Sequence, residues 1–246
     1  MADNNTSTSK ILIMAFDFKK EYKELYLPSK KPHIIDVPPM TFISVRGKGD
    51  PNAEDGEYKM SVQMLYSVSF TIKMSKMGAH KMNGYFDFVV PPLEGLWNHR
   101  NAGSDILDLF DGNKSSLRWT SIIRVPDFVT NDEFEWARRE ASKKKNLDLS
   151  KVELIRYDEG LCVQCLHVGH YDDEPVTIDA MRKYADNQGF VFDNSNSNQR
   201  FHHEIYISNP CKTAPEKLKT VIRYPIIKKS LFLLLKIFKR WRIKRL

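Results

Sequence analysis

Ser121-Ile122-Ile123-Arg124-Val125-Pro126 returns near the end of the folded region as Thr220-Val221-Ile222-Arg223-Tyr224-Pro225. Repeats decide architecture before anything else. Each copy of this hexapeptide closes a similar series of strand, acidic loop, helix, strand and final strand. The reading is an α+β chain that uses one unit twice, at about residues 32–126 and 152–225, with a cleft along the pseudo-symmetry axis.

Working outward through the first unit, residues 40–45 alternate and are rich in β-branched side chains until Gly47, Gly49, Asp50 and Pro51 break the run. This pattern predicts a strand leading into a loop. Tyr58, Val62, Leu65, Tyr66, Ser69 and Ile72 follow at helical spacing, so one face of a helix covers a sheet. Residues 85–90 read as the next strand, Pro91-Pro92 as its end, residues 93–97 as a loop and residues 117–125 as the closing strand.

In the second unit, residues 161–168 read as a strand and residues 169–174 as an acidic loop. Pro175 sits where the first turn of a helix tolerates it, and that helix is expected to end near Gly189. Val191-Phe192, a polar turn at residues 194–198, and strands at residues 201–207 and 218–224 complete the set. Between the units, Thr130-Asn131-Asp132-Glu133 has the form of a helix start, and a connecting helix runs to Lys145 with a cationic end that suits the helix dipole.

The chain has 246 residues, 41% of them hydrophobic, enough for one two-lobed domain with a real core. Its net charge of +7 resides in the tail: residues 226–246 carry eight Lys or Arg and no acid, so without them the balance is −1. Nucleic-acid binding by the folded body is therefore not expected, because phosphate recognition needs a clustered basic surface. Ile227, Leu231, Leu234, Phe238 and Trp241 give the tail an apolar helical face beside a cationic one, suited to weak contact with an anionic membrane. Its uninterrupted apolar run at residues 231–235 is far below the roughly 18 residues that span a bilayer. Residues 1–13 are polar and expected to be disordered. Three cysteines and no signal peptide point to a reducing cytoplasm. Oligomeric state is left open.

The strongest candidate for chemistry is Glu204, in the run Phe201-His202-His203-Glu204-Ile205-Tyr206-Ile207. Strand periodicity puts Glu204 on one face with His202 and Tyr206, toward the cleft, and Ile205 and Ile207 on the covered face. Burial raises a carboxylate's pKa, which suits either a general base or the counter-ion of a cationic ligand. Trp97, Tyr171, Trp119 and Tyr66 are aromatics that can stack on a flat ligand or attract a cation. Cys162, Cys165, His167 and His170 imitate metal spacing, but no turn residue separates the cysteines and an extended strand faces them apart. They read as apolar strand residues. No metal and no cofactor is expected: Cys211 is isolated, and phosphate loops, dinucleotide fingerprints and nucleophile elbows are missing.

Three stretches resemble the GyrI-like small-molecule-binding family, also found as effector modules of multidrug-responsive transcription activators. They are Pro91-Pro92-Leu93-Glu94-Gly95-Leu96-Trp97, Val168-Gly169-His170-Tyr171-Asp172-Asp173-Glu174-Pro175 and His202-His203-Glu204-Ile205-Tyr206-Ile207-Ser208, and the likeness runs from about residue 14 to 225. The resemblance implies two strand-helix-strand-strand modules with antiparallel sheets and a deep pocket between them for bulky aromatic, often cationic compounds, with Glu204 at its base. With no helix-turn-helix ahead of the module, a direct transcription role is not expected. Some stand-alone members are similar to hydrolases that open the cyclopropane ring of DNA-alkylating natural products. By that resemblance Glu204 deprotonates a water, Tyr171 or Tyr206 places the water or polarises the conjugated carbonyl, and Trp97, Trp119 and Tyr66 hold the flat compound. A non-catalytic sink for hydrophobic cations, with Glu204 as counter-ion, is the alternative; contact with DNA gyrase, implied by the family name, ranks last.

Overall fold

A computed structural model describes residues 14–98, 114–193 and 200–232. The tail from residue 233, residues 1–13 and the polar turn at 194–198 lie outside that set.

Each unit contributes two strands, a helix and two further strands, and the second adds one short strand after its helix. The first supplies β1 (His33–Val37), β2 (Met40–Lys48), α3 (Glu57–Met74), β3 (Leu93–Asn98) and β4 (Arg118–Arg124). The second supplies β5 (Glu153–Tyr157), β6 (Gly160–Val168), α5 (Glu174–Asn187), the short β7 (Phe190–Phe192), β8 (His202–Tyr206) and β9 (Lys219–Lys228). Two short helical turns, α1 (Phe18–Glu21) and α2 (Lys23–Tyr26), precede them, and α4 (Asn131–Lys145) connects the units. The Thr130 hydroxyl accepts from Glu133 N–H to cap α4. Lys143, Lys144 and Lys145 fill its last turn, and Asn146 closes it in the left-handed conformation.

The two expected sheets are joined into one antiparallel sheet of nine strands, in the order β1-β6-β9-β8-β3-β4-β2-β5, with β7 paired to the end of β9. The order is a palindrome of the two units: β3 and β8 meet at the centre, and β4 and β9, which carry the repeated hexapeptides, flank them. The first strand of each unit has crossed over. β1 pairs with β6 and β5 pairs with β2, so each lies on the outer edge of the other unit.

The helix of each unit covers the same face, α3 over β2 and β4, α5 over β6. Leu65, Val68 and Ile72 of α3 belong to the larger core with Ile43, Ile123 and Phe134, while Ile178, Met181 and Ala185 of α5 pack on Val163, Cys165, Ile222 and Tyr224. Between the helices, β3 and β8 form the floor of the cleft. The other face of this floor is covered by α1 and α2, through Tyr26 against Glu94 and Arg124 over the rings of Phe18 and Tyr22.

Four expectations need correction. Residues 93–97 form the strand β3 rather than a loop; Glu94, which meets His203, and Gly95, which admits Trp97, interrupt its hydrophobic alternation. Residues 85–90 form no regular strand: Phe88 makes one isolated bridge to Phe16, and Tyr85, Phe86 and Phe88 instead pack around Phe128. β2 continues through Gly47 to Lys48. The folded body extends to Lys228, since Ile226 is buried and pairs with Phe192, so the cationic tail starts later than its composition suggests.

Candidate functional site

The floor of the cleft begins with a missing side chain. A Cβ on Gly95 would lie 2.8 Å from both the Trp97 indole nitrogen and the Tyr206 hydroxyl. Only glycine lets those two groups close over the strand, where Trp97 Nε1 donates to the Tyr206 oxygen at 3.2 Å. Tyr206 in turn donates to Glu204 Oε2 at 2.8 Å. Gly95 and Glu204 are direct cross-strand partners.

Around this line stand the rings. Tyr58, from the first turn of α3, stacks on Trp97 with centroids 5.8 Å apart and meets Trp119 edge-on at 5.0 Å. Tyr171 meets Tyr206 edge-on at 6.0 Å. Trp119 is almost wholly buried and lies over Gly47, where a Cβ would fall 2.2 Å from its ring. It supports Tyr58 from beneath. Tyr66 is two turns further along α3, and its ring neighbour is Phe70 of the same helix. The structure thus draws Glu204, Tyr206, Tyr171, Trp97 and Trp119 together and gives Tyr66 no ring contact with them. Sequence reading placed Tyr58 on the sheet-facing side of its helix and missed it as a site residue.

Glu174 was also missed. It is the first residue of α5 and buried, and its carboxyl faces Glu204 closely enough for the two to titrate together. Burial raises the Glu204 pKa to about 7 against the opposing hydrogen bonds from Tyr206 and Trp97. Burial and then the Glu204 charge push Glu174 well above the carboxylate range. Two carboxylates so placed cannot both ionise readily, so Glu174 keeps its proton while Glu204 loses its own as pH rises through about 7. The available signal was an acidic residue just before Pro175 at a helix start, but sequence spacing does not show which sheet residue lies beneath it.

His202, on the same face, has Nε2 3.5 Å from Glu204 Oε1. Its ring stacks on Tyr224 at 4.3 Å, and Phe192 stacks on the other side of Tyr224 at 4.4 Å. This three-ring pile forms the inner wall of the cleft under α5.

The opposite face of the same strands is an enclosed ion network. His203 Nε2 lies 2.9 Å from Glu94 Oε2 and its Nδ1 lies 3.0 Å from Glu159 Oε1. Arg223 donates to Glu159 at 3.1 Å, to Gln164 at 2.9 Å and to the Leu25 carbonyl. All four ionisable side chains are at most 1% exposed. Burial disfavours the imidazolium, but the flanking carboxylates raise the His203 pKa to about 9. Burial likewise opposes ionisation of Glu159, yet the charges of His203 and Arg223 bring its pKa down to about 2. This network joins β3, β8 and β9 to α2 and the β5–β6 turn, fixing the strands that carry the site.

Among the described residues no group of three or more His, Cys, Asp or Glu is placed to hold a metal ion. Cys162 and Cys165 are buried and unpaired. No described helix is long and apolar enough to cross a membrane.

A ring-walled cleft between two helices with one acidic pair at its floor defines a small-molecule-binding module. The sequence pattern of the GyrI-like small molecule binding domain matches residues 131–227. Three crystal structures from Listeria innocua are similar over nearly the whole chain. An uncharacterised conserved protein is 47% identical, with a TM-score of 0.79, covering 86% of this chain and all of its own. A protein described as a hydrolase is 46% identical (TM-score 0.76; 86% and 100% covered), and another hydrolase is 45% identical (TM-score 0.77; 87% and 100% covered). A comparison with curated proteins finds no match. This chain belongs to the GyrI-like family.

Proposed function

We propose that the cleft binds bulky, flat aromatic compounds, preferentially cationic ones, and hydrolyses those that carry a strained cyclopropane ring conjugated to a carbonyl. The observation that carries this reading is the Glu174–Glu204 pair on the floor of a cleft walled by Trp97, Tyr58 and Tyr171. With one proton shared, the pair supplies a single negative charge, a counter-ion for a cation held over the rings. The same Glu204, with its pKa near neutrality, is matched to removing a proton from water.

In the reaction, the water oxygen bonds to a cyclopropane methylene carbon and its proton passes to Glu204. The strained carbon–carbon bond breaks, and its electron pair moves through the conjugated system to the carbonyl oxygen, which takes up a proton from solvent while Glu204 releases the water's proton to solvent. Tyr206 holds Glu204 in place by its hydrogen bond, while Tyr171, edge-on to Tyr206, contacts the ligand. Ring strain supplies the driving force, leaving the protein to position the reactants and accept the proton. The similarity to Listeria innocua proteins described as hydrolases supports the catalytic version.

Incubation with a cyclopropane-bearing alkylator, followed by mass spectrometry of the ring-opened product, tests it. Turnover in the wild type that is lost in Glu204→Gln while binding persists is the expected result. Binding with no turnover above buffer would instead leave a sequestering protein.

A further inference from the structure

Three buried polar atoms on the inner side of Glu204 have no hydrogen-bond partner: Thr220 Oγ1, the Tyr224 hydroxyl and Glu174 Oε1. Thr220 and Tyr224 are each 1% exposed and Glu174 6%. Thr220 and Tyr224 bracket Ile222 on β9, and Ile222 is the cross-strand partner of Glu204. Thr220 lies near the Glu174 carboxyl but outside hydrogen-bonding geometry. Tyr224 is held so deep that burial, and then the charges of Glu204 and Glu174, keep it a neutral phenol, a donor. Clamped between His202 and Phe192, its ring is not free to swing toward another partner.

A buried donor or acceptor without a partner has given up its hydration for nothing, and native proteins commonly satisfy such groups with ordered water making about three hydrogen bonds. Three such atoms lie beside one carboxylate pair. We infer that a recess beneath α5, bounded by Thr220, Glu174 and Tyr224, is a hydration site that holds ordered water against the inner side of Glu204. Thr220 and Tyr224 lie four residues apart on one face of β9, so the site takes water between the Glu174 carboxyl, the Thr220 hydroxyl and the Tyr224 hydroxyl. Under the hydrolytic reading, on which this last step rests, the water that Glu204 activates comes from this recess rather than from the side of Tyr171.

Tyr224→Phe and Thr220→Val each delete one oxygen and keep the packing shape, so their melting temperatures decide the matter. Groups bonded to water make each variant melt about 2–4 °C lower than the wild type. Unchanged or higher melting temperatures would overturn the hydration site, because deleting a partnerless hydroxyl relieves a penalty. A crystal structure is expected to show a water oxygen within hydrogen-bonding distance of the Tyr224 hydroxyl; a dry recess would also overturn it. With the cyclopropane alkylator as probe, Tyr224→Phe is expected to lower kcat on the order of tenfold to a hundredfold with KM little changed. Lower melting with unaltered kcat would overturn the supply role alone. A wild type that fails to turn over would remove the hydrolytic reading, and the melting comparison would still judge the water.

Discussion

His203 and Glu204 are neighbours on β8 that point to opposite faces of the sheet, one locked between two carboxylates and the other hydrogen-bonded to Tyr206. The strand that presents Glu204 is held from behind by a charge network buried to at most 1% exposure.

That network has a measurable pH signature. His203 is raised from 6.5 to about 9, so its contribution to stability is fully present below about 6.5 and is lost as pH rises through 9. Glu159 is lowered from 4.5 to about 2, so its contribution is present above about 4.5 and is lost as pH falls through 2. His203→Gln leaves two carboxylates buried together and is expected to cost about 3–5 kcal/mol at pH 6. Urea denaturation at pH 6 and 9.5 checks this: the gap between wild type and variant should narrow at the higher pH.

The acidic pair behaves in the opposite sense to Glu159. A carboxylate whose pKa is raised on folding favours the native state at low pH and disfavours it as pH rises from the unfolded value through the folded one. Glu204→Gln is therefore expected to melt above the wild type at pH 8, with the advantage shrinking toward pH 4. In the wild type, fluorescence titration with a permanently cationic dye should show affinity rising as pH passes through about 7.

Gly95→Ala inserts a methyl group 2.8 Å from both Trp97 and Tyr206. Tyr206 is bonded to Glu204 and Trp97 is stacked on Tyr58, so relief comes by opening the floor. We expect a stability loss of about 1–3 kcal/mol and at least tenfold weaker dye binding. Normal binding would show that the Trp97–Tyr206 contact is dispensable.

Tyr58→Ala and Tyr66→Ala separate the two aromatics of α3. Loss of Tyr58 exposes one face of Trp97 and should weaken binding by about 1–2 kcal/mol, near the value of one ring–ring or cation–ring contact. Tyr66→Ala should change affinity much less. Equal losses would restore Tyr66 to the ligand wall.

The duplicated order of elements was legible because β4 and β9 keep the same apolar hexapeptide. The position of Glu204 on a strand, on one face with His202 and Tyr206, was legible because strand side chains alternate between faces. β1 and β5 escaped notice because each is short and edge-placed, with a mixed burial pattern. β3 was mistaken for a loop because Glu94 and Gly95 break the usual alternation, the first to meet His203 and the second to admit Trp97. Glu174 and Tyr58 reach the site only because two helices from distant parts of the chain lie over one sheet face.

The crossing of β1 and β5 makes the duplication irreversible in a physical sense. A polypeptide cut in the linker after β4 would yield two fragments, each holding the other's outermost ribbon and lacking its own. Neither could bury its border except by reuniting with its complement or by borrowing from an identical fragment. Within one chain, that reciprocal trade becomes an internal clasp.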